Sequence, residues 1–182
     1  SCGRTPKGEV ILGTVGNKNL VELFLKKFIK EAKILSQLEH PNIVQILDVF
    51  KENGTAYYVM DYIKGSSLDD VIKNNGCLNE EQSIAYVSQI SKALDYLHQR
   101  KINHLDVKPA NIMIRHSDNK AILIDFGVSK QYDYDGEQTS TTPIGISHGY
   151  APIEQYSPGG VSKFSPQADI YALGATFYKL LL

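Results

Sequence analysis

From Asn79 to His98 the chain carries a pattern that one kind of element satisfies. Asn79 is a good N-cap, Glu80, Glu81 and Gln82 fill the first turn, and the spacing of Asn79 and Gln82 is that of a capping box. Ile84, Val87, Ile90, Leu94 and Leu97 then recur three and four residues apart, the repeat of a helix face and not of a strand. The spacing predicts a helix to about His98 with that face buried. A long helix with one apolar stripe must lie against a core, so the rest of the chain has to supply one.

The flanking sequence does so with both kinds of element. Gly8–Gly13 reads as a short strand or ribbon. A helical pattern opens at Leu20, with Leu23, Phe24, Phe28, Ala32, Leu35 and Leu38 on one face, and Pro41 is expected to end it. Ile43–Phe50 and Ala56–Tyr62 are β-rich runs around Asn53-Gly54, a hairpin signal. Gly65 and Ser66 break the chain ahead of a short helix through Lys73, stopped by Gly76. Ile112–Ile114 and Ala121–Ile124 read as short strands, 131–143 as an exposed polar loop, and Asp169–Leu182 as a buried helix. This order implies an α+β fold with a sheet-rich first part and a helical second part.

Charge excludes some functions. Nineteen Lys and Arg stand against 20 Asp and Glu with no basic block, which gives neither a nucleic-acid groove nor a polybasic membrane patch. No apolar run reaches the roughly 18 residues of a membrane helix. Cys2 and Cys77 are too few for a disulfide framework and read as free thiols of a reducing compartment. The chain starts at Ser1 and stops inside the apolar pattern Tyr178–Leu182, so both ends are read as cut.

The chemistry lies in His104-Leu105-Asp106-Val107-Lys108-Pro109-Ala110-Asn111 and in Ile124-Asp125-Phe126-Gly127. Two carboxylates, an amide and a lysine flank two short β runs. Phosphoryl transfer from a nucleotide needs this set: a carboxylate for the attacking hydroxyl's proton, oxygen ligands for Mg²⁺, and a cation for the moving phosphoryl group. Either stretch alone is as well explained by a capped turn with a surface lysine.

Together, in this order, the two stretches resemble the catalytic loop and metal-binding motif of the protein kinase family. Tyr150-Ala151-Pro152-Ile153-Glu154 resembles that family's A-P-E element with one extra residue, and Asp169–Gly174 the start of its central helix. Glu31 stands where the αC glutamate does, followed by His40-Pro41-Asn42-Ile43-Val44. The resemblance spans about residues 20–182 and is nearest to bacterial Ser/Thr kinases. It implies a two-lobe fold truncated at both ends, with 1–62 a partial N-lobe and 63–182 a partial C-lobe.

It also implies roles. Asp106 takes the acceptor proton, Lys108 neutralises the γ-phosphate, and Ser147 bonds both. Asn111 and Asp125 hold Mg²⁺. Met60 is the gatekeeper, Asp61, Tyr62 and Ile63 form the hinge that pairs with adenine, and Met113 lies under the ring. Leu35, Ile46, His104 and Phe126 form a hydrophobic column. ATP is the implied cofactor and a protein with Ser or Thr acceptors the implied partner. The implied location is cytoplasmic, as a free protein or as the cytoplasmic domain of a membrane-anchored kinase.

Departures from the pattern are as informative. Leu105 replaces the Arg that usually receives an activation-loop phosphate. No G-x-G-x-x-G stands in residues 1–19, Thr14 occupies the place a Walker lysine needs, and Lys18 sits between Asn17 and Asn19 rather than in an apolar strand. The Gly-rich loop and its lysine are expected before residue 1 and further helices after Leu182, which leaves the isolated chain expected to be inactive. The alternative is a pseudokinase, a nucleotide- or partner-binding regulatory module without catalysis.

Overall fold

The computed structural model describes residues 2–4, 10–12, 15–126, 130–131, 146–156 and 165–182. The chain divides into two compact units, Ser1–Glu39 with Gln45–Asp61, and His40–Val44 with Tyr62–Leu182.

In the first unit β1 (Cys2–Arg4) pairs antiparallel with β2 (Val10–Leu12), and α1 spans Val15–Leu35. β3 (Ile46–Glu52) and β4 (Thr55–Met60) form an antiparallel hairpin. Its turn holds Asn53 at φ 51° and Gly54 at φ 71°, the paired left-handed geometry that matches strand twist and favours Asn-Gly. α1 packs on this hairpin. Phe28 stacks on Tyr58 with ring centroids 5.7 Å apart, and Ala32, Leu35, Leu38 and Ile46 are buried.

Three expectations change here. The helix starts at Val15, five residues before Leu20, because apolar periodicity marks where a face begins and not where the backbone can coil. Lys18 is therefore helical and is no strand lysine. The helix also ends at Leu35, not at Pro41. Gln37 and Leu38 donate to carbonyls three residues back, at 3.2 and 3.1 Å, which tightens and closes the last turn. Leu23 and Phe24, expected on the buried face, are 48% and 41% exposed.

The second unit begins with a segment the sequence assigned to a strand. Leu123 N–H donates to Asn42 O (2.8 Å) and Val44 N–H to Leu123 O (3.0 Å), so Ile43 bridges the second unit and β3 starts only at Ile46. Asn42 is buried, and its amide donates to Ala121 O (2.8 Å) and Gln89 Oε1 (3.0 Å).

β5 (Gly65–Ser67), β7 (Ile112–Arg115) and β8 (Ala121–Leu123) form an antiparallel sheet in the order β5-β7-β8, while β6 (Ile102–Asn103) pairs with β9 (Lys130–Gln131). Gly65 is required by β7, since a Cβ there would run into the Ile114 carbonyl oxygen. Gly65 and Ser66 thus belong to a strand, and Ser67 caps α2 (Leu68–Asn75) through a 3.0 Å bond from Asp70 N–H. Gly76 ends that helix at φ 79°.

α3 runs Glu80–Gln99, with Asn79 Oδ1 accepting from Gln82 N–H at 2.8 Å. Its buried line is Ser83, Ile90, Ala93, Leu94 and Leu97. Ile90, Leu94 and Leu97 are buried as expected, but Ile84 is 50% exposed: in the first turn Ser83 takes the inner position, and its hydroxyl folds back on Asn79 O (2.9 Å).

α4 (Gln167–Leu181) packs on α3. One face only is buried, through Ala168, Asp169, Ala172, Leu173, Thr176 and Leu180, while Ile170, Tyr171 and Tyr178 are exposed. The expected loop of 131–143 and its Thr139–Thr142 lie outside the described residues beyond Gln131.

Candidate active site

Four of the residues singled out from sequence meet in the second unit. β6 leads into the loop His104–Lys108, and a 3-10 turn, Pro109–Asn111, returns the chain to β7. Lys108 Nζ donates to Asp106 Oδ2 and to Ser147 Oγ, both at 2.8 Å, and Ser147 Oγ donates to Asp106 Oδ1. Asn111 Nδ2 donates to Asp106 Oδ2 (2.8 Å) and to Asp106 O (2.9 Å). Carboxylate, ammonium and hydroxyl form a closed triangle, and the asparagine fixes its corner.

The asymmetry of that carboxylate matters. Oδ2 accepts from two donors and Oδ1 from one, so Oδ1 keeps capacity for an incoming hydroxyl. The Asn111 amide nitrogen is committed to Asp106, which leaves its carbonyl oxygen as the atom for a cation. Ile124 N–H donates to Asn111 O at 2.9 Å, bringing Asp125, exposed and at φ 61°, onto the neighbouring backbone.

His104 is fully buried behind the loop. Its Nδ1 accepts from Asp106 N–H (3.3 Å) and its Nε2 faces Ile124 O (3.1 Å), so the proton resides on Nε2. Burial pushes the imidazole pKa below its ordinary value, against the opposing pull of Asp169, Asp106 and Asp125. Its ring meets Phe126 edge-on at 4.9 Å.

Asp169 is the functional residue that sequence reading undervalued. Buried completely in the first turn of α4, it accepts from His104 N–H (2.9 Å), Leu105 N–H (2.7 Å) and His98 Nε2 (2.8 Å). Leu105 is thereby held at φ 65°, a left-handed conformation that costs a branched residue on the order of 1–2 kcal/mol. The available signal was a lone carboxylate on the inner face of an apolar helix.

The remaining predicted residues are dispersed. Glu31 is half-buried on α1, and Met60 ends β4 at 45% exposure. Asp61 is exposed, and its N–H donates to Gln45 O at 3.0 Å. These three belong to the first unit and Tyr62, Ile63 and Met113 to the second. Tyr62 is 92% exposed. Met113 sits in β7 opposite Ile122 and Ser67. Gly127 lies outside the described residues.

No helix among the described residues is long and apolar enough to cross a membrane. The family model described as "Protein kinase domain" matches residues 7–182. The chain is 35% identical over 158 residues to the serine/threonine-protein kinase PrkC of Bacillus subtilis, covering 87% of this chain and 24% of that protein. It is also 35% identical over 171 residues to serine/threonine-protein kinase B of Synechocystis, covering 90% and 29%. It therefore spans about a quarter of the length of these relatives. The solved structure titled "PpkA-294 apo form" superposes with a TM-score of 0.75 at 28% identity, over 98% of this chain and 61% of that one. The Asp106–Lys108–Ser147 triangle, the anchored loop and these matches agree, and the chain belongs to the protein kinase family and carries part of its two-lobe fold.

Proposed function

We propose that the protein containing this chain transfers the γ-phosphoryl group of ATP to serine or threonine hydroxyls of protein substrates. The observation that carries this reading is the Asp106–Lys108–Ser147 triangle. The acceptor hydroxyl binds at Asp106 Oδ1, which orients its oxygen toward phosphorus and accepts the proton as the new P–O bond forms and the bond to ADP breaks. Lys108 lies 2.8 Å from the base and offsets negative charge on the transferring group. Ser147 holds both groups in register.

Asn111 and Asp125 supply an amide and a carboxylate oxygen, hard donors that suit Mg²⁺ better than a softer metal. Mg²⁺ keeps several waters and takes few protein ligands beside substrate phosphates, so these two oxygens would be completed by phosphate oxygens and water. When bound, Mg²⁺ would neutralise phosphate charge. Met60, Asp61, Tyr62 and Ile63 are read as the adenine-facing hinge, Met113 as the residue beneath the base, and Glu31 as the partner of a strand lysine. Residues 1–62 and 63–182 are read as the two partial lobes.

Asp125→Ala should weaken Mg·ATP binding at least tenfold, about 1.4 kcal/mol. Asp125 is exposed, so the melting temperature should stay within about 3 °C. Titration calorimetry of the full-length protein with Mg·ATP reads the first and a thermal melt the second. Equal affinity would remove Asp125 from the metal site.

A second expectation concerns control. Leu105 is 5% exposed and apolar, so it cannot receive the phosphate that an arginine would. Replacing Thr139, Ser140, Thr141 and Thr142 with Ala should change the initial rate less than about threefold, under roughly 0.7 kcal/mol of barrier. Phosphatase-treated enzyme should behave the same. A hundredfold drop in either would show a phosphate switch served by another cation.

A further inference from the structure

A concavity of about 560 Å³ lies on the second unit, lined by His40, Ser91, Lys92, Asp95, Tyr96 and Gln99. It shares no residue with the Asp106 cluster and has the size of a small-molecule site. Five of its residues come from one side of α3, and His40 arrives from the segment that bridges β8.

Two of its walls, His40 and Tyr96, are held by contacts of their own, while Ser91, Lys92, Asp95 and Gln99 are exposed. His40 Nδ1 accepts the backbone N–H of Asn42 at 3.1 Å, and Asn42 is locked to Gln89 and Ala121 O. The neutral ring therefore carries its proton on Nε2. Burial, and secondarily Arg100, hold the imidazole pKa below its ordinary value. The His40 ring lies against Tyr96 at 5.2 Å between centroids, and the Arg100 guanidinium lies 3.6 Å from the Tyr96 ring centroid.

The groove carries charges of both signs that do not pair with each other. Lys92 and Asp95 stand three apart on an exposed helix face, near enough to pair. Among the described residues the ion pairs form elsewhere, and Asp95 Oδ2 instead accepts from Gln99 Nε2 at 2.8 Å. The groove lining thus offers the Lys92 cation, the Asp95 anion, a neutral imidazole N–H and an aromatic wall, with Arg100 stacked on Tyr96 as a second cation beside it. A pure anion would leave Asp95 opposed to it, and a pure cation would oppose Lys92.

We propose that this groove binds a small zwitterion of the α-amino-acid class. The ligand carboxylate meets Lys92 Nζ and the His40 Nε2–H, its ammonium meets Asp95, and its side chain lies along Tyr96. The assignment does not depend on the phosphoryl-transfer reading.

The test is NMR titration of the full chain with glycine, L-leucine and L-phenylalanine, with acetate and ethylamine as single-charge controls. Shifts at His40, Lys92 and Tyr96 should saturate at millimolar amino acid, and each control should bind at least about tenfold more weakly. Lys92→Met and Asp95→Asn, both at exposed positions, should each weaken binding about tenfold while the remaining spectrum is unchanged. The proposal is overturned by an absence of shifts at these residues up to about 20 mM. It is equally overturned by unaltered affinity in Lys92→Met, or by acetate binding as well as glycine.

Discussion

Asp106→Asn in the full-length protein should lower phosphoryl transfer by roughly 10²-fold or more, at least about 2.7 kcal/mol of barrier. The amide keeps the size of the carboxylate but cannot take the acceptor's proton. It also holds a single acceptor oxygen where Lys108, Asn111 and Ser147 now share two. One of those donors must lose its partner, or an N–H must face the Lys108 ammonium. The Asp106 side chain is 13% exposed, so water can reach the site and the fold should survive with a melting temperature within a few degrees of the parent. A radiolabelled ATP assay reads the rate, and circular dichroism reads the fold. Parent-like turnover would overturn the catalytic assignment and favour a regulatory module whose carboxylate serves only structure.

Asp169→Ala should have the largest effect on stability. It strips the partner from the two buried backbone N–H groups of His104 and Leu105 and removes one bond of His98, and each orphaned backbone N–H carries a desolvation penalty. Loss of a buried, paired carboxylate typically costs on the order of 3–5 kcal/mol. At about 2–4 °C per kcal/mol for a domain of this size, the melting temperature should fall by roughly 6–20 °C. Activity should fall with it, since Leu105 at φ 65° is held from Asp169 Oδ1 and that conformation places Asp106. A thermal melt followed by calorimetry checks the first, and an assay well below the lowered midpoint checks the second. A shift of under about 2 °C would mean the loop keeps its shape by packing alone.

Local chemistry was legible wherever a residue acts on its own neighbours. Asn79 caps α3, Asn53-Gly54 turns the hairpin and Gly76 stops α2, because each bond or dihedral involves positions a few residues apart. Boundaries were less so. α1 reaches back to Val15 because a polar residue in a helix costs little and leaves no mark in the apolar period. Ile43 left its expected hairpin strand because Leu123, eighty residues on, pairs with the backbone of its neighbours Asn42 and Val44.

The site divides in the same way. His104-Leu105-Asp106-Val107-Lys108 and Asn111 announce their chemistry through spacing, since a single short loop delivers them. Ser147 was placed by resemblance, and only the folded chain puts its hydroxyl between Asp106 and Lys108. The anchor of the loop went unread because Asp169 bonds backbone amides 64 and 65 residues away, and backbone amides have no letter in a sequence. The groove beside His40 is equally silent in one dimension. Which elements form, and which side chains can do chemistry, follow from propensity, capping and turn geometry, all of them local. The tertiary structure alone decided which of those side chains meet, because burial of an apolar face fixes a helix's rotation and a buried carboxylate takes whichever donors packing brings to it.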